Sequence, residues 1–163
     1  MKFKKMLAIF LSAALFVTAF AGCGKKKADG ITVQIGPNPE TLDPALNSAV
    51  DGGNMLITLF ETLLIIDQDN KVQPGQAEKY EVSPDGLTWT FTMRDGLKWS
   101  DGTDLTAEDF VYSWQRVCDP NVAAPYAETV LGMVKGYDEA VAGDITKLDV
   151  QAPDEKTVVV NLA

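Results

Sequence analysis

The chain has 163 residues, 46% of them hydrophobic, and a formal net charge of −9 with no histidine. The acidic balance disfavours nucleic acid and polyphosphate as partners. Without histidine, Ser-His-Asp and Cys-His nucleophiles and His-ligated metal sites are excluded within these residues.

Residues 1–22 read as an export signal. Lys2, Lys4 and Lys5 form a basic start, and Met6 to Ala21 form an apolar core of 16 residues, shorter than the roughly 20 of a membrane-spanning helix. The segment carries three lysines and no acid, so the remainder of the chain stands at −12 against −9 for the whole. Phe20-Ala21-Gly22-Cys23 looks like a lipoprotein processing box, with Phe20 where Leu is usual. On that reading Cys23 becomes the new N-terminus and carries a diacylglyceryl group. Two acyl chains, at about 0.8 kcal/mol per buried methylene, anchor stably. Ordinary cleavage near Ala21 with an unmodified Cys23 is the alternative. Residues 23–30 make a polar tether whose Lys25, Lys26 and Lys27 are solvated or rest on anionic headgroups.

Ile31 to Gly36 alternates apolar and polar, which predicts a half-buried strand. Pro37-Asn38-Pro39 breaks it, and Pro39 to Pro44, reading PETLDP, sets a further bend. Met55, Leu56, Leu59, Phe60, Leu63 and Leu64 predict a helix from about Gly53 to Leu64 capped by Asn54. A short strand, a turn and a returning strand follow over LIID and QDNKV. Asp67, Asp69 and Glu78 invite a calcium loop, but Lys71 occupies a ligand position and Val72 replaces the required Gly. A solvated hairpin tip explains these acids.

Tyr80 and Val82, the turn Ser83-Pro84-Asp85-Gly86, and the alternating Leu87, Trp89, Phe91 and Met93 predict a β hairpin with one apolar face. Asp101-Gly102 is a turn, and Thr106 with Asp109 forms a capping pair. Phe110, Val111, Trp114, Val117 and Cys118 then lie on one face of a helix that Asp119-Pro120 closes. Cys118 on that stripe reads as a small buried hydrophobe, with no disulfide partner if Cys23 is lipidated. The paired acids Asp101 with Asp104 and Glu108 with Asp109 are explained by turns and helix starts rather than acid–base catalysis. Tyr126, Val130, Met133, Val134, Tyr137 and Val141 predict one helix to about Ala142, weakened by Gly132 and Gly136. Val150 and Thr157 to Leu162 predict strands flanking a turn at Pro153-Asp154-Glu155.

Three stretches together resemble the extracytoplasmic solute-binding proteins of peptide ABC transporters, within them the oligopeptide-binding branch. They are PETLDP, the run DGLTWTFTMRDGLKWSDG, and WSDGTDLTAEDFVYSWQR from Trp99 to Arg116. The resemblance covers nearly all of residues 31–163 but only about the first third of a complete family member, so residues 31–163 are expected to be the N-terminal part of a solute-binding domain. It implies an α/β class: an N-terminal fragment of a two-lobed, type II periplasmic-binding-protein-like fold with an extra α+β domain.

The resemblance further implies a non-enzymatic protein without cofactor, anchored through Cys23 to the extracytoplasmic face of the cell membrane. Its implied partners are an oligopeptide and the subunits of an ABC permease, with no nucleic acid. The family pairs the ligand backbone with extended segments, in the manner of an added strand. One such segment follows the LDP bend, placing Ser48, Ala49 and Val50 against the peptide. An aromatic hydroxyl at the Pro-Tyr step makes Tyr126 a second contact. A surface receptor for peptide signals, and a secreted hydrolase whose catalytic residues fall beyond Ala163, are alternatives.

Overall fold

The computed structural model describes residues 30–34 and 36–163. The signal segment, Cys23 and the tether as far as Asp29 lie outside the described residues. The chain divides into two units, residues 1–34 and 35–163.

In the first unit, Gly30 to Gln34 form neither helix nor strand, and Ile31 and Val33 are exposed. The strand expected from Ile31 is therefore not formed over these residues. Alternation supplies an apolar face, but a strand also needs a neighbour to pair its backbone, and no described residue pairs with these.

The second unit opens with the bend Thr41–Asn47 and helix α1 (Val50–Leu59). A small hairpin follows, β1 (Leu64–Ile66) with β2 (Val72–Pro74). Strands β3 (Ala77–Val82) and β4 (Thr88–Met93) begin the main sheet. Helix α2 (Ala107–Cys118), the short helices α3 (Ala127–Leu131) and α4 (Tyr137–Val141), and strands β5 (Val150–Asp154) and β6 (Thr157–Asn161) complete it. The four-stranded sheet is antiparallel throughout, in the order β3-β4-β6-β5.

Register places the apolar residues on one face. Tyr80 lies opposite Phe91, Val82 opposite Trp89, Phe91 opposite Val158, and Trp89 opposite Val160. Tyr80 stacks on Trp89 with ring centroids 5.7 Å apart, an arrangement that adds to simple area burial. The aromatic row expected as core is graded: Phe91 and Met93 are buried, Trp89 is half-buried, and Tyr80 and Leu87 remain exposed. Against this face α2 contributes the buried Ala107, Val111 and Cys118, with Phe110, Trp114 and Val117 packed beside them. Burial pushes the Cys118 thiol up, in keeping with its role as a hydrophobe.

Helix α2 starts where its capping pair predicts: the Thr106 backbone N–H donates to the Asp109 carboxylate at 2.7 Å. Other acids are also absorbed by local structure. The Asp101 carboxylate accepts the Thr103 N–H and hydroxyl, and Asp104 pairs with Lys98. Asp67 accepts the N–H groups of Asp69 and Lys71 and the Gln73 side chain, so it holds the tip of the β1–β2 hairpin.

Two helix predictions need correction. Helix α1 begins at Val50, not Gly53, and ends at Leu59; Asn54 lies inside it, where its carbonyl accepts the Thr58 hydroxyl. Leu63 and Leu64 continue the helical spacing but are recruited elsewhere. The Leu63 carbonyl accepts N–H groups of Gly75 and Ala77, and Leu64 pairs with Pro74. The single helix expected to about Ala142 is two, broken between Leu131 and Tyr137. Gly136 adopts φ +80°, and a Cβ there would lie 1.9 Å from the Lys147 carbonyl oxygen. The break also frees backbone for the sheet: Lys135 donates to Asn161, and Asp149 donates to Lys135. Pairing across the fold outweighs a helix already weakened by glycine.

Candidate functional site

The bend before α1 is built around Asp43. Its carbonyl accepts the N–H groups of Leu46 at 3.1 Å and Asn47 at 3.0 Å. Its N–H donates to the Thr41 hydroxyl at 3.0 Å, and its carboxylate accepts the Ala45 N–H at 3.0 Å. Pro44 fits this turn, since its ring fixes φ and its absent N–H leaves no donor unpaired. Both Asp43 carboxylate oxygens also face Arg116 of α2, which donates from Nη1 at 2.9 Å and Nη2 at 2.6 Å. This fork-to-fork geometry is the strong form of a carboxylate–guanidinium pair. The Arg116 hydrogen bond is the chief reason the Asp43 carboxyl lies below its ordinary range, and Asp43 correspondingly raises Arg116.

Asn47 carries the bend into the helix. Its side-chain amide donates to the Ala49 carbonyl at 3.1 Å, and its side-chain oxygen accepts the Ala49 N–H at 3.4 Å. The first turn of α1 sits against this side chain, and a Cβ on Gly52 would lie 1.9 Å from the Asn47 amide oxygen. Only glycine allows that approach.

Ser48, Ala49 and Val50 are all exposed, with Ala49 in extended backbone and Val50 as the first residue of α1. The Ala49 carbonyl also accepts the Gly53 N–H at 3.0 Å, so both backbone groups of Ala49 are engaged locally. Ser48 differs: among the described residues neither its N–H nor its carbonyl has a hydrogen-bond partner. Tyr126 stands just before α3 with its side chain half exposed, and its carbonyl accepts the Val130 N–H. No hydrogen bond joins Tyr126 to residues 48–50 among the described residues.

A shallow hollow of about 340 Å³ lies between Lys135–Glu139 and Thr146–Gln151, and none of Ser48, Ala49, Val50 or Tyr126 lines it. Among the described residues no group of three or more Cys, Asp or Glu is placed to hold a metal ion. No helix among them is long and apolar enough to cross a membrane. The candidate contacts are therefore all on open surface, Ser48 beside a braced bend with polar backbone unpaired among the described residues, and Tyr126 with a half-exposed phenol before α3.

The family model for bacterial extracellular solute-binding proteins, family 5, middle region, matches residues 71–163. The chain belongs to that family. It is similar to the periplasmic oligopeptide-binding protein OppA of Salmonella typhimurium, with 40% identity over 163 residues that span 97% of this chain and 30% of that protein. The oligopeptide-binding protein OppA of Bacillus subtilis is 41% identical over 151 residues, 89% of this chain and 27% of that one. The fold matches the crystal structure of Haemophilus influenzae OppA in complex with the peptide RPPGFSPFR. That match has a TM-score of 0.75 and 39% identity, covering 79% of this chain and 26% of the other. The chain thus spans less than a third of the length of these relatives, and its fold is a fragment of the solute-binding fold of family 5. The link between Asp43 and Arg116, which sequence reasoning missed, joins two of the motifs that carry the family likeness, PETLDP and the run from Trp99 to Arg116.

Proposed function

We propose that the chain is the N-terminal part of an extracytoplasmic oligopeptide-binding protein, lipid-anchored at Cys23, that delivers peptides to an ABC permease. Residues 1–22 act as the export signal, 23–30 as the tether, and 31–163 as part of the solute-binding domain. The observation that carries this reading is 40% identity, across almost the whole chain, to a protein that binds oligopeptides. The exposed surface around the bend supports it. A peptide laid along Ser48 finds a backbone donor and acceptor without other partners among the described residues, as an added strand requires. Val50 offers the N–H of a helix start, which favours an electronegative ligand group. Tyr126 supplies a hydroxyl on an apolar ring. The protein performs no chemistry; two lobes close about a hinge and enclose the peptide.

The test is made on the intact protein purified from its own cells. Short peptides of mixed sequence are expected to co-purify with it and to be recovered unchanged after prolonged incubation. Tyr126→Phe is expected to weaken peptide binding by about threefold to tenfold, the loss of one hydrogen bond. Cleaved peptide, or no bound peptide at all, overturns the reading. The intact mass is expected to show a diacylglyceryl group on Cys23, and an unmodified Cys23 removes the anchor from the proposal.

A further inference from the structure

We propose that Arg116 and Asp43 form a latch that sets the position of the Ser48–Val50 segment, making Arg116 a positioning residue for ligand binding. This rests on the reading of that segment as a ligand contact. The latch begins in rigid structure, because α2 carries three buried residues, Ala107, Val111 and Cys118. Arg116 lies in the last turn of that helix and holds both carboxylate oxygens of Asp43 at 2.9 and 2.6 Å. Asp43 in turn organises the bend through the N–H groups of Ala45, Leu46 and Asn47. Asn47 grips Ala49 at both backbone groups, and Gly52 lets the first turn of α1 rest on the Asn47 amide. Ser48 lies between Asn47 and Ala49, so its place is set by this series of contacts.

The segment has little else to hold it. Helix α1 buries only Gly52, while Val50 and Ile57 are more than 80% exposed. No side chain of α1 reaches the buried core formed by the sheet and α2. Met55 and Leu56 are half-buried but are not packed against that core, so the polar series from Arg116 is what connects the core to Ser48. The side chains of Asp43 and Arg116 are about 30% exposed, shielded enough for the bidentate geometry to persist yet open to substitution without a cavity.

The experiment compares the intact protein with Arg116→Gln, Arg116→Lys and Asp43→Asn by amide hydrogen exchange, thermal melting, and calorimetric binding of a short peptide well below the melting temperature. In Arg116→Gln and Asp43→Asn, exchange at Ala45, Asn47, Ala49 and Gly53 is expected to rise about tenfold or more, while β4 and β6 amides keep their protection. Peptide affinity is expected to fall about tenfold, with Arg116→Lys intermediate because it keeps the charge and loses the fork. Unchanged exchange at these four amides overturns the latch, whatever the affinity does. Faster exchange with unchanged peptide affinity overturns the positioning role. If the unsubstituted protein binds no peptide, the reading of the site fails while the exchange result still decides whether the latch exists.

Discussion

Asp43 and Arg116 stand 73 positions apart in sequence and meet through two hydrogen bonds. The Arg116 hydrogen bond holds the Asp43 carboxyl below its ordinary range, against the opposing effect of partial burial and with help from the Ala45 N–H. A carboxylate whose folded pKa is depressed contributes stability that is fully present above its unfolded value near 3.9 and is lost as pH falls through the folded value. Because both side chains are partly exposed, solvent screening keeps the pair to about 1 kcal/mol. Asp43→Asn is therefore expected to be less stable than the natural protein by about this amount at neutral pH. The gap should close as pH falls below about 4 toward the depressed folded value. Urea unfolding at a series of pH values checks it, and a gap that stays constant into strong acid would show that the Asp43 charge contributes nothing.

Among the elements, those legible in the sequence carry their instructions locally. Helix α2 has a capping pair at one end, Asp119-Pro120 at the other, and an apolar stripe between, and each signal acts within one or two turns. The β3–β4 hairpin is likewise specified by strict alternation and the Ser83–Gly86 turn, where Asp85 accepts the Ser83 hydroxyl and the Leu87 N–H. Elements decided by distant partners depart from their local signals. Leu63 and Leu64 fit a helix until the return of Gly75 to Ala77 claims their backbone, and Lys135 leaves a helix because Asn161 needs its N–H. Ile31 lacks any partner among the described residues. Of the site, Ser48 to Val50 and Tyr126 came from family likeness alone, since exposed small residues and a half-exposed Tyr carry no physical signal. The Asp43–Arg116 pair was out of reach because no periodicity links a loop acid to a helix base so far away. A local signal makes a local prediction: Asp109→Ala removes the acceptor for the Thr106 N–H and a charge from the first turn of α2. It should cost about 1 kcal/mol. Denaturant unfolding should show a lower midpoint with unchanged slope, and a changed slope would mean that more than the cap was disturbed.

At the scale of the whole molecule, the chain covers 30% of the Salmonella relative and displays its candidate contacts on open surface. None of Ser48, Ala49, Val50 or Tyr126 lines the hollow between Lys135–Glu139 and Thr146–Gln151. Small-ligand sites ordinarily bury 70–90% or more of the ligand surface, at roughly that level of enclosure. A peptide lying on one exposed face keeps much of its surface in water, yet it still loses translational, rotational and backbone freedom on binding. A strand added at Ser48 gains only the hydrogen bonds of one residue and its neighbours, each worth about 1 kcal/mol net. That falls short of the roughly 8 kcal/mol that a micromolar complex requires. Residues 23–163 produced alone are therefore expected to bind short peptides no better than millimolar, while the intact protein binds at micromolar or tighter. Parallel calorimetric titrations of the two with the same peptide decide it. Micromolar binding by residues 23–163 would mean that one face suffices, and enclosure between two lobes would lose its role in recognition.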